Sequence, residues 1–194
     1  MDQLPLKHRM PPPARCRASI IYDKIVYRLS SHCFALIGGS GLNSVLILVG
    51  TQSGNAAMVA ETLKARLEND GVAAEILPED CEDPQALADA RWLIVCCATH
   101  GEGDVPDHLL PLTEALAVRS TDLSGLRYGV VALGDRTYAE TYCGGGRRID
   151  ALLRGCGAQR VGDVLEIDAS TQPFPDQQVL GWLPAWREQA SQEV

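Results

Sequence analysis

The sequence lacks the features that mark several large classes of protein. No apolar run approaches the roughly 20 residues that cross a bilayer, so no membrane span is expected. The seven cysteines include no CxxC pair and no metal-ligand spacing, which argues against a zinc site and against a disulfide framework. An odd number of cysteines without such a framework predicts a reducing compartment, the cytoplasm.

The residues that are present are typical of a globular chain, with 46% hydrophobic and 22% charged residues. A length of 194 residues suits one well-buried domain with a tail. The net charge of −8 is unevenly divided, because residues 1–43 carry +4 and residues 44–194 carry −12. A domain this acidic repels nucleic acid and favours basic protein surfaces, so nucleic acid is not an expected partner.

Residues 1–43 are predicted to be a basic, flexible N-terminal extension, although a misassigned start is an open alternative. Three prolines, 11–13, block a helix, and the apolar stretch Phe34 to Ile37 is too short for a secretory signal. The glycines at 38–41 resemble the opening of a dinucleotide-binding fingerprint, but that motif needs a helix directly after its glycines. A strand at Val45 follows instead. We therefore interpret the glycines as a linker and residues 44–194 as the folded domain.

Buried apolar runs alternate with helical patterns from residue 45 onward. The predicted strands cover residues 45–50, 72–77, 92–97, 128–133 and 161–167. The predicted helices cover residues 57–69, 85–90, 107–118, 147–154 and 176–190. This alternation predicts an α/β fold, a doubly wound, five-stranded parallel sheet with helices on both faces. Ligands of such sheets bind beyond the carboxyl ends of the strands, so the loops after strands one, three and four should converge.

The loop after the first strand, Thr51-Gln52-Ser53-Gly54-Asn55-Ala56, has the chemistry of an anion site. Backbone N–H groups at a helix start have no helical acceptor, and the helix dipole favours negative charge there. Hydroxyl and amide side chains add neutral donors, and no Lys or Arg is present. The alternative is a capped helix start that binds nothing.

The loops after the third and fourth strands differ from this one in character. The loop at residues 98–107 has two glycines that allow close approach to a flat ligand, and its acids crowd one rim. The loop at residues 134–143 carries Tyr138 and Tyr142, which can stack on a planar ligand or pack on a helix shoulder. An acidic surface loop without a ligand is the alternative for the first of them.

Three segments together resemble the FMN-binding loops of flavodoxins. They are Thr-Gln-Ser-Gly-Asn at 51–55, Thr-His-Gly-Glu-Gly-Asp at 99–104, and the run from Gly-Asp-Arg-Thr-Tyr at 134–138 through Tyr-Cys-Gly at 142–144. The resemblance covers about residues 44–190 and is nearest to short-chain flavodoxins of the MioC type. The FMN domains of diflavin reductases are also similar. The resemblance implies a flavodoxin-like sheet and FMN as the cofactor.

The resemblance also implies a role for each loop. The FMN phosphate would be bound by Thr51, Gln52, Ser53, Gly54, Asn55 and Ala56. One face of the isoalloxazine ring would meet Thr99, His100, Gly101, Glu102, Gly103 and Asp104, with the Gly101 carbonyl placed to accept a hydrogen bond from reduced N5. The other face would stack on Tyr138, and the pyrimidine edge would meet Gly134, Asp135 and Arg136. Tyr142 and Cys143 complete the third loop. No catalytic residue and no metal ligand is implied.

Three positions depart from the family pattern. Ala56 stands where the family often has a hydroxyl, which removes one phosphate contact. His100 replaces a Trp or Tyr that would stack on the ring, and it either packs plainly or tunes the redox behaviour with pH. The glycines at 144–146 form a helix start of poor propensity.

The expected function is that of a low-potential one-electron carrier, because negative surroundings disfavour the anionic reduced flavin. Its partners would be a basic-faced, NAD(P)H-dependent flavodoxin reductase and a downstream redox enzyme, and we expect a monomer that is not itself an enzyme. One alternative is an FMN-dependent NAD(P)H quinone or nitro reductase. The other is a flavin-free interaction module that has kept the fold.

Overall fold

The computed structural model describes residues 42–118 and 120–192. The predicted N-terminal extension lies outside the described residues except for its last two positions, so the boundary at residue 43 stays a prediction. No helix in the described part of the chain is long and apolar enough to cross a membrane.

The described residues form a parallel sheet flanked by helices. The strands are β1 (Ser44–Gly50), β2 (Ala73–Ile76), β3 (Trp92–Ala98), β4 (Arg127–Gly134), β5 (Gln159–Arg160) and β6 (Leu165–Asp168). The helices are α1 (Asn55–Asn69), α2 (Gln85–Ala88), α3 (Leu110–Ala117, preceded by a 3-10 turn at Asp107–Leu109), α4 (Gly144–Gly155) and α5 (Pro175–Gln192). The strand order is β2-β1-β3-β4, and both β5 and β6 pair with β4 as the fifth position.

The sheet is buried on both faces, as its apolar runs predict. In β1, Val45 and Ile47 pack with α1 and α5, whereas Leu46 and Leu48 pack with the cluster that includes α3 and α4. Successive side chains of a strand point to opposite faces, so a strand covered on both sides must be apolar throughout. The predicted α/β fold, doubly wound with helices on both faces, is thereby confirmed.

Several predicted elements differ in extent from the observed ones, and three of them are instructive. The predicted strand at 161–167 overlaps only β6 at 165–168; β5 at 159–160 precedes it, and Gly162 lies between the two strands at a left-handed φ of 71°. Helix α4 begins at Gly144 rather than at Arg147, and α2 ends at Ala88. Helix propensity disfavours the glycines at 144–146 in α4. Close packing requires them nevertheless, because an added methyl group at each position would overlap neighbouring atoms.

The three tryptophans of the chain meet beside Gly129 of β4. Trp186 makes an edge contact with Trp92 at 6.1 Å between ring centroids and stacks on Trp182 at 5.6 Å. A Cβ on Gly129 would overlap Trp186 Nε1 and lie 2.9 Å from Trp182 Cη2. The tryptophans therefore fill the space that a side chain at this position would occupy.

We expect Gly129→Ala to lower the free energy of unfolding by about 1–3 kcal/mol, the usual cost of overpacking a filled core. Urea unfolding measures the change. Gly181→Ala is the matched control, because an added methyl there meets no atom within 4 Å, and alanine stabilises a helix interior by roughly 0.5–1 kcal/mol. Equal midpoints for both variants would contradict this packing.

Candidate functional site

Four strands end in line at one edge of the sheet. The register pairs Gly50 of β1 with Cys97 of β3, Ala98 with Leu133 of β4, and Gly134 with Asp168 of β6. Their following loops surround a cavity of about 760 Å³, a size within the roughly 300–1,000 Å³ typical of cofactor pockets. The cavity is lined by Ser53, Asn55, Met58, Ala98, Thr99, Gly101, Leu133, Gly134, Asp135, Tyr138, Thr141, Tyr142, Ile167, Ala169, Gln172, Pro173 and Pro175.

The loop between β1 and α1 presents a helix start to this cavity. Thr51 Oγ1 accepts a hydrogen bond from the Gly54 N–H at 2.9 Å, and Gly54 is left-handed with a φ of 86°. The Met58 N–H donates to the Gly54 carbonyl as the first bond of the helix. The N–H groups of residues 55–57 therefore precede the helical ladder, and together with the helix dipole they suit an anion.

Not every predicted phosphate residue lines the cavity. Ser53 and Asn55 line it, while Thr51, Gln52 and Gly54 do not. Ala56 is fully buried in the apolar cluster beneath α1. Its methyl group packs against the sheet, so Ala56 can serve a ligand only through its backbone N–H.

The loop after β3 closes on itself. The backbones of His100 and Asp104 hydrogen-bond each other in both directions, at 2.9 and 2.8 Å, around left-handed Gly101 and Gly103. Thr99 and Gly101 line the cavity, whereas His100, Glu102, Gly103 and Asp104 lie outside its lining. The predicted approach of this loop to a flat ligand thus rests on its first residues.

Two contacts fasten this loop to its neighbours. Gln52 Nε2 donates to Asp107 Oδ2 at 3.3 Å, and His108 Nε2 lies 3.0 Å from the Val49 carbonyl oxygen. These contacts fix the helix start of α1 relative to the loop after β3.

An ion pair alters the expected electrostatics of the rim. Arg148 of α4 donates to Asp104 at 2.6 Å, with both side chains about half exposed. The loop at 98–107 carries three carboxylates, Glu102, Asp104 and Asp107. The charge of Asp104 is therefore compensated by a cation that lies far away in the sequence. The rim stays acidic at Glu102 and Asp107.

The loop after β4 supplies the aromatic side chains. Tyr138 is 69% exposed at the cavity mouth, and Tyr142 lies beneath the Arg136 guanidinium at 4.9 Å from the ring centroid. Gly134 and Asp135 also line the cavity, but Arg136 does not. An aromatic side chain this exposed beside a cavity is suited to cover a planar ligand.

The structure directs Cys143 into the core rather than into the cavity. It is fully buried in the left-handed region at φ 56°, and its thiol donates to the Ala132 carbonyl at 3.4 Å. Burial is the main reason that the pKa of Cys143 is raised to about 11. The thiol is therefore neutral and packed, and it does not line the cavity as its place in the third loop implied.

The three glycines after Cys143 bring α4 against the loop after β3. A Cβ on Gly144 would lie 2.6 Å from the Gly103 carbonyl oxygen, and one on Gly145 would lie 2.9 Å from that of Ala98. A Cβ on Gly146 would meet the Ala132 methyl at 2.5 Å. Only glycine allows this approach, so these residues shape the site.

The turn after β6 is a wall of the cavity that sequence reasoning missed. Ala169, Gln172, Pro173 and Pro175 line the cavity from this side, and Phe174 between them is 58% exposed. Met58, Leu133 and Ile167 also line the cavity without any motif to indicate them, and Ala98 and Thr141 line it from the two loops at 98–107 and 134–143. The available signal was topological, because the fifth strand also ends at the carboxyl edge.

The carboxylate of Asp168, at the end of β6, fastens this turn. It is 4% exposed and accepts hydrogen bonds from the Arg136 N–H at 3.1 Å and from the hydroxyls of Ser170 and Thr171 at 2.7 and 2.9 Å. Burial raises the pKa of Asp168, but these donors outweigh burial and lower it to about 2.

We expect Asp168→Asn to destabilise the fold with a defined pH dependence. A carboxylate with a lowered pKa in the folded state stabilises above its unfolded pKa of about 3.9 and loses this effect as pH falls toward 2. Wild type should therefore exceed the variant in urea midpoint by a constant amount above about pH 5, and the gap should close between pH 4 and 2. Asp163→Asn, an exposed acid between β5 and β6, is the control. A gap independent of pH would refute the role of the charge.

Comparisons with known proteins agree with this geometry. The family profile described as flavodoxin matches residues 47–182. Flavodoxin YqcA of Escherichia coli K12 is 40% identical over 145 residues, covering 72% of this chain and 93% of that protein. Protein MioC of the same strain is 34% identical over 142 residues, covering 73% and 95%. The sulfite reductase flavoprotein alpha-component of Vibrio parahaemolyticus is 30% identical over 161 residues, 82% of this chain and 24% of that protein.

Solved structures match as well. A cysteine-to-alanine mutant of flavodoxin from Pseudomonas aeruginosa superposes with a TM-score of 0.68 at 32% identity, over 76% of this chain and 98% of that chain. The resemblance of the chain to flavodoxins, to the MioC type and to the FMN domains of diflavin reductases is confirmed. The chain therefore belongs to the flavodoxin family, whose members bind FMN.

Proposed function

We propose that this chain is a low-potential carrier that moves electrons one at a time between a flavin reductase and an acceptor enzyme. The observation that carries the proposal is the cavity lined by residues of all three loops that the sequence associates with FMN. Bound FMN supplies the redox chemistry, because its ring accepts and releases single electrons. The protein holds the cofactor and sets its surroundings.

The residues of the cavity fit FMN part by part. The helix start at residues 55–57, with Ser53, supplies N–H and hydroxyl donors for the phosphate. Thr99 and Gly101 form the wall for one face of the ring, and Tyr138 is free to cover the other. In the same proposal, the Gly101 carbonyl accepts a hydrogen bond from N5 of the reduced ring, and Gly134–Arg136 contact the pyrimidine edge.

The charges near the cavity support a low potential. The β1–α1 loop contains no Lys or Arg, and Glu102 and Asp107 lie on the adjoining loop. Negative groups disfavour addition of an electron that leaves an anionic ring. The pairing of Asp104 with Arg148 weakens this effect, as do Arg136 and Arg147 beside the ring of Tyr142.

The surface around the cavity mouth suits a basic redox partner. Residues 44–194 carry a net charge of −12, and Met58, Tyr138 and Phe174 are exposed beside the mouth. Acidic surroundings attract a basic reductase toward the cavity mouth. The exposed apolar side chains can then form the contact surface of a short-lived complex. The proposed partners are an NAD(P)H-dependent flavodoxin reductase and a downstream redox enzyme. We propose that the exchange takes place in the cytoplasm and that the carrier acts as a monomer.

A flavin-dependent NAD(P)H reductase is the second candidate. It would need a nicotinamide site beside the ring, and a further cavity among the described residues, between α1 and α5 at Arg66 and Leu183, shares no lining residue with the first. NADPH alone should therefore leave the flavin absorbance of the purified holoprotein unchanged, whereas rapid bleaching would favour this candidate over the carrier.

We expect the purified protein to bind FMN and to be reduced in two separable one-electron stages. Visible absorption during FMN addition, followed by stepwise reduction, measures both properties. A protein that stays colourless after reconstitution is not a carrier and would match the flavin-free module. Reduction in one two-electron stage would contradict the one-electron role.

Removal of the exposed ring should weaken FMN binding. We expect Tyr138→Ala to raise the FMN dissociation constant roughly two- to tenfold, the value of one aromatic stacking contact. Val118→Ala is the matched control, since Val118 is 74% exposed at the far end of α3. Equal FMN affinity in wild type and Tyr138→Ala would remove Tyr138 from the site.

A further inference from the structure

Two arginines meet the ring of Tyr142 at the wall of the cavity. Tyr142 lines the cavity and is 7% exposed. The Arg136 guanidinium carbon lies 4.9 Å from the centroid of this ring, and that of Arg147 lies 6.0 Å from it. The face of an aromatic ring attracts a cation at these distances. Positive charge therefore stands beside a cavity whose adjoining loop is acidic at Glu102 and Asp107.

The two arginines differ in whether their charge is balanced. Arg147 donates to Glu166 Oε1 from Nε at 3.1 Å and from Nη2 at 2.6 Å, so an adjacent carboxylate cancels most of its charge. Arg136 forms no ion pair with any residue in the described ranges 42–118 and 120–192. Of the two cations beside Tyr142, Arg136 is therefore the one whose field reaches its surroundings.

Arg136 is fixed at both of its ends. Its backbone N–H donates to Asp168 Oδ1 at 3.1 Å, and its guanidinium lies over the Tyr142 ring. Interaction with the Tyr142 side chain is the main reason that the pKa of Arg136 is raised, so the guanidinium stays charged. A surface arginine with neither contact would be free to move away from the cavity.

The guanidinium of Arg136 stands close to the cavity without lining it. The proposed contact of Gly134–Arg136 with the pyrimidine edge does not use this group, because it turns to Tyr142 and lies outside the cavity lining. Its effect on a bound ring would therefore be electrostatic. A fixed cation favours any reaction that adds negative charge nearby.

Under the proposed function, the second electron is the one that leaves the ring anionic. We propose that Arg136 is a redox-tuning residue, whose charge raises the midpoint potential of the second one-electron stage against the lowering effect of Glu102 and Asp107. Tyr142 positions this charge. The inference rests on the proposed function and concerns the potential of the bound cofactor rather than its binding.

The test uses potentiometric titration of the FMN-loaded full chain at low and high salt. Arg136→Gln removes the charge, and Arg136→Lys keeps it. Arg91→Gln is the matched control, because Arg91 is exposed directly before β3, at the opposite edge of the sheet, and its loss changes the net charge equally. Glu166→Gln removes the carboxylate that balances Arg147.

Arg136→Gln should lower the equilibrium constant of the second stage roughly three- to tenfold, the effect of one partly screened charge. This corresponds to about 30–60 mV at 59 mV per tenfold change. Arg136→Lys and Arg91→Gln should stay within about twofold of wild type, and Glu166→Gln should shift the constant in the opposite direction. High salt should reduce the shift in Arg136→Gln, because salt screens an exposed charge.

Equal second midpoints in wild type and Arg136→Gln at low salt would overturn the assignment of Arg136. An equal fall in Arg136→Lys, or a fall that salt does not change, would also overturn it, since either result indicates altered packing instead of charge. FMN dissociation constants and urea midpoints show whether each variant is loaded and folded. If Arg136→Gln does not bind FMN, Glu166→Gln decides, and an unraised second midpoint there would overturn the inference.

Failure of the proposed function gives a different result. Wild-type protein that binds no FMN, or that is reduced in a single stage, would overturn both the carrier role and the tuning by Arg136. Wild-type protein that is reduced in two stages, with an Arg136→Gln variant that has the same midpoints, would overturn only the tuning.

Discussion

The register of the parallel sheet is the constraint on which the site depends. Gly50, Ala98, Gly134 and Asp168 end their strands within one residue of the same line. A slip of one residue in any pair would exchange the two faces of that strand and move side chains such as Ile47 and Leu48 into the opposite, differently shaped core cluster. Packing against helices on both faces therefore fixes the register. The register in turn brings the four following loops together around one cavity, independently of contacts between the loops themselves.

Close approach of backbones then sets the shape of the cavity. The glycines at 144–146 allow α4 to begin against the Gly103 and Ala98 carbonyls and the Ala132 methyl. From that position Arg148 reaches Asp104 and Arg147 reaches Glu166. The first turns of α4 thus supply the cations that pair with Asp104 and Glu166. The charge around a ligand therefore depends on the packing of α4 as well as on the composition of the loops.

Much of this could be predicted from sequence, for reasons that the structure makes plain. Apolar runs such as 92–97 must be buried strands, and the loops that follow them carry recognisable residue types. The predicted start of α4 at Arg147 is wrong because helix propensity disfavours the glycines at 144–146, whereas their close tertiary contacts require glycine. The predicted fifth strand was given as continuous, although left-handed Gly162 interrupts it. Position in a motif assigns Ala56 and Cys143 to the cofactor but does not predict the direction of a side chain, and both of these side chains are buried in the core. The turn at 169–174 contains no motif, and its place in the cavity wall follows only from the pairing of β6 with β4.

The burial of the cysteines has a consequence for a protein that would handle reactive electrons. Reduced flavin that meets oxygen yields hydrogen peroxide, and peroxide oxidises the thiolate form of cysteine. The described cysteines are all buried, and burial raises the pKa of Cys97 to about 12 and that of Cys143 to about 11. The sulfurs of Cys97 and Cys143 therefore stay protonated and shielded at neutral pH, which protects these two residues of the described part of the chain from peroxide.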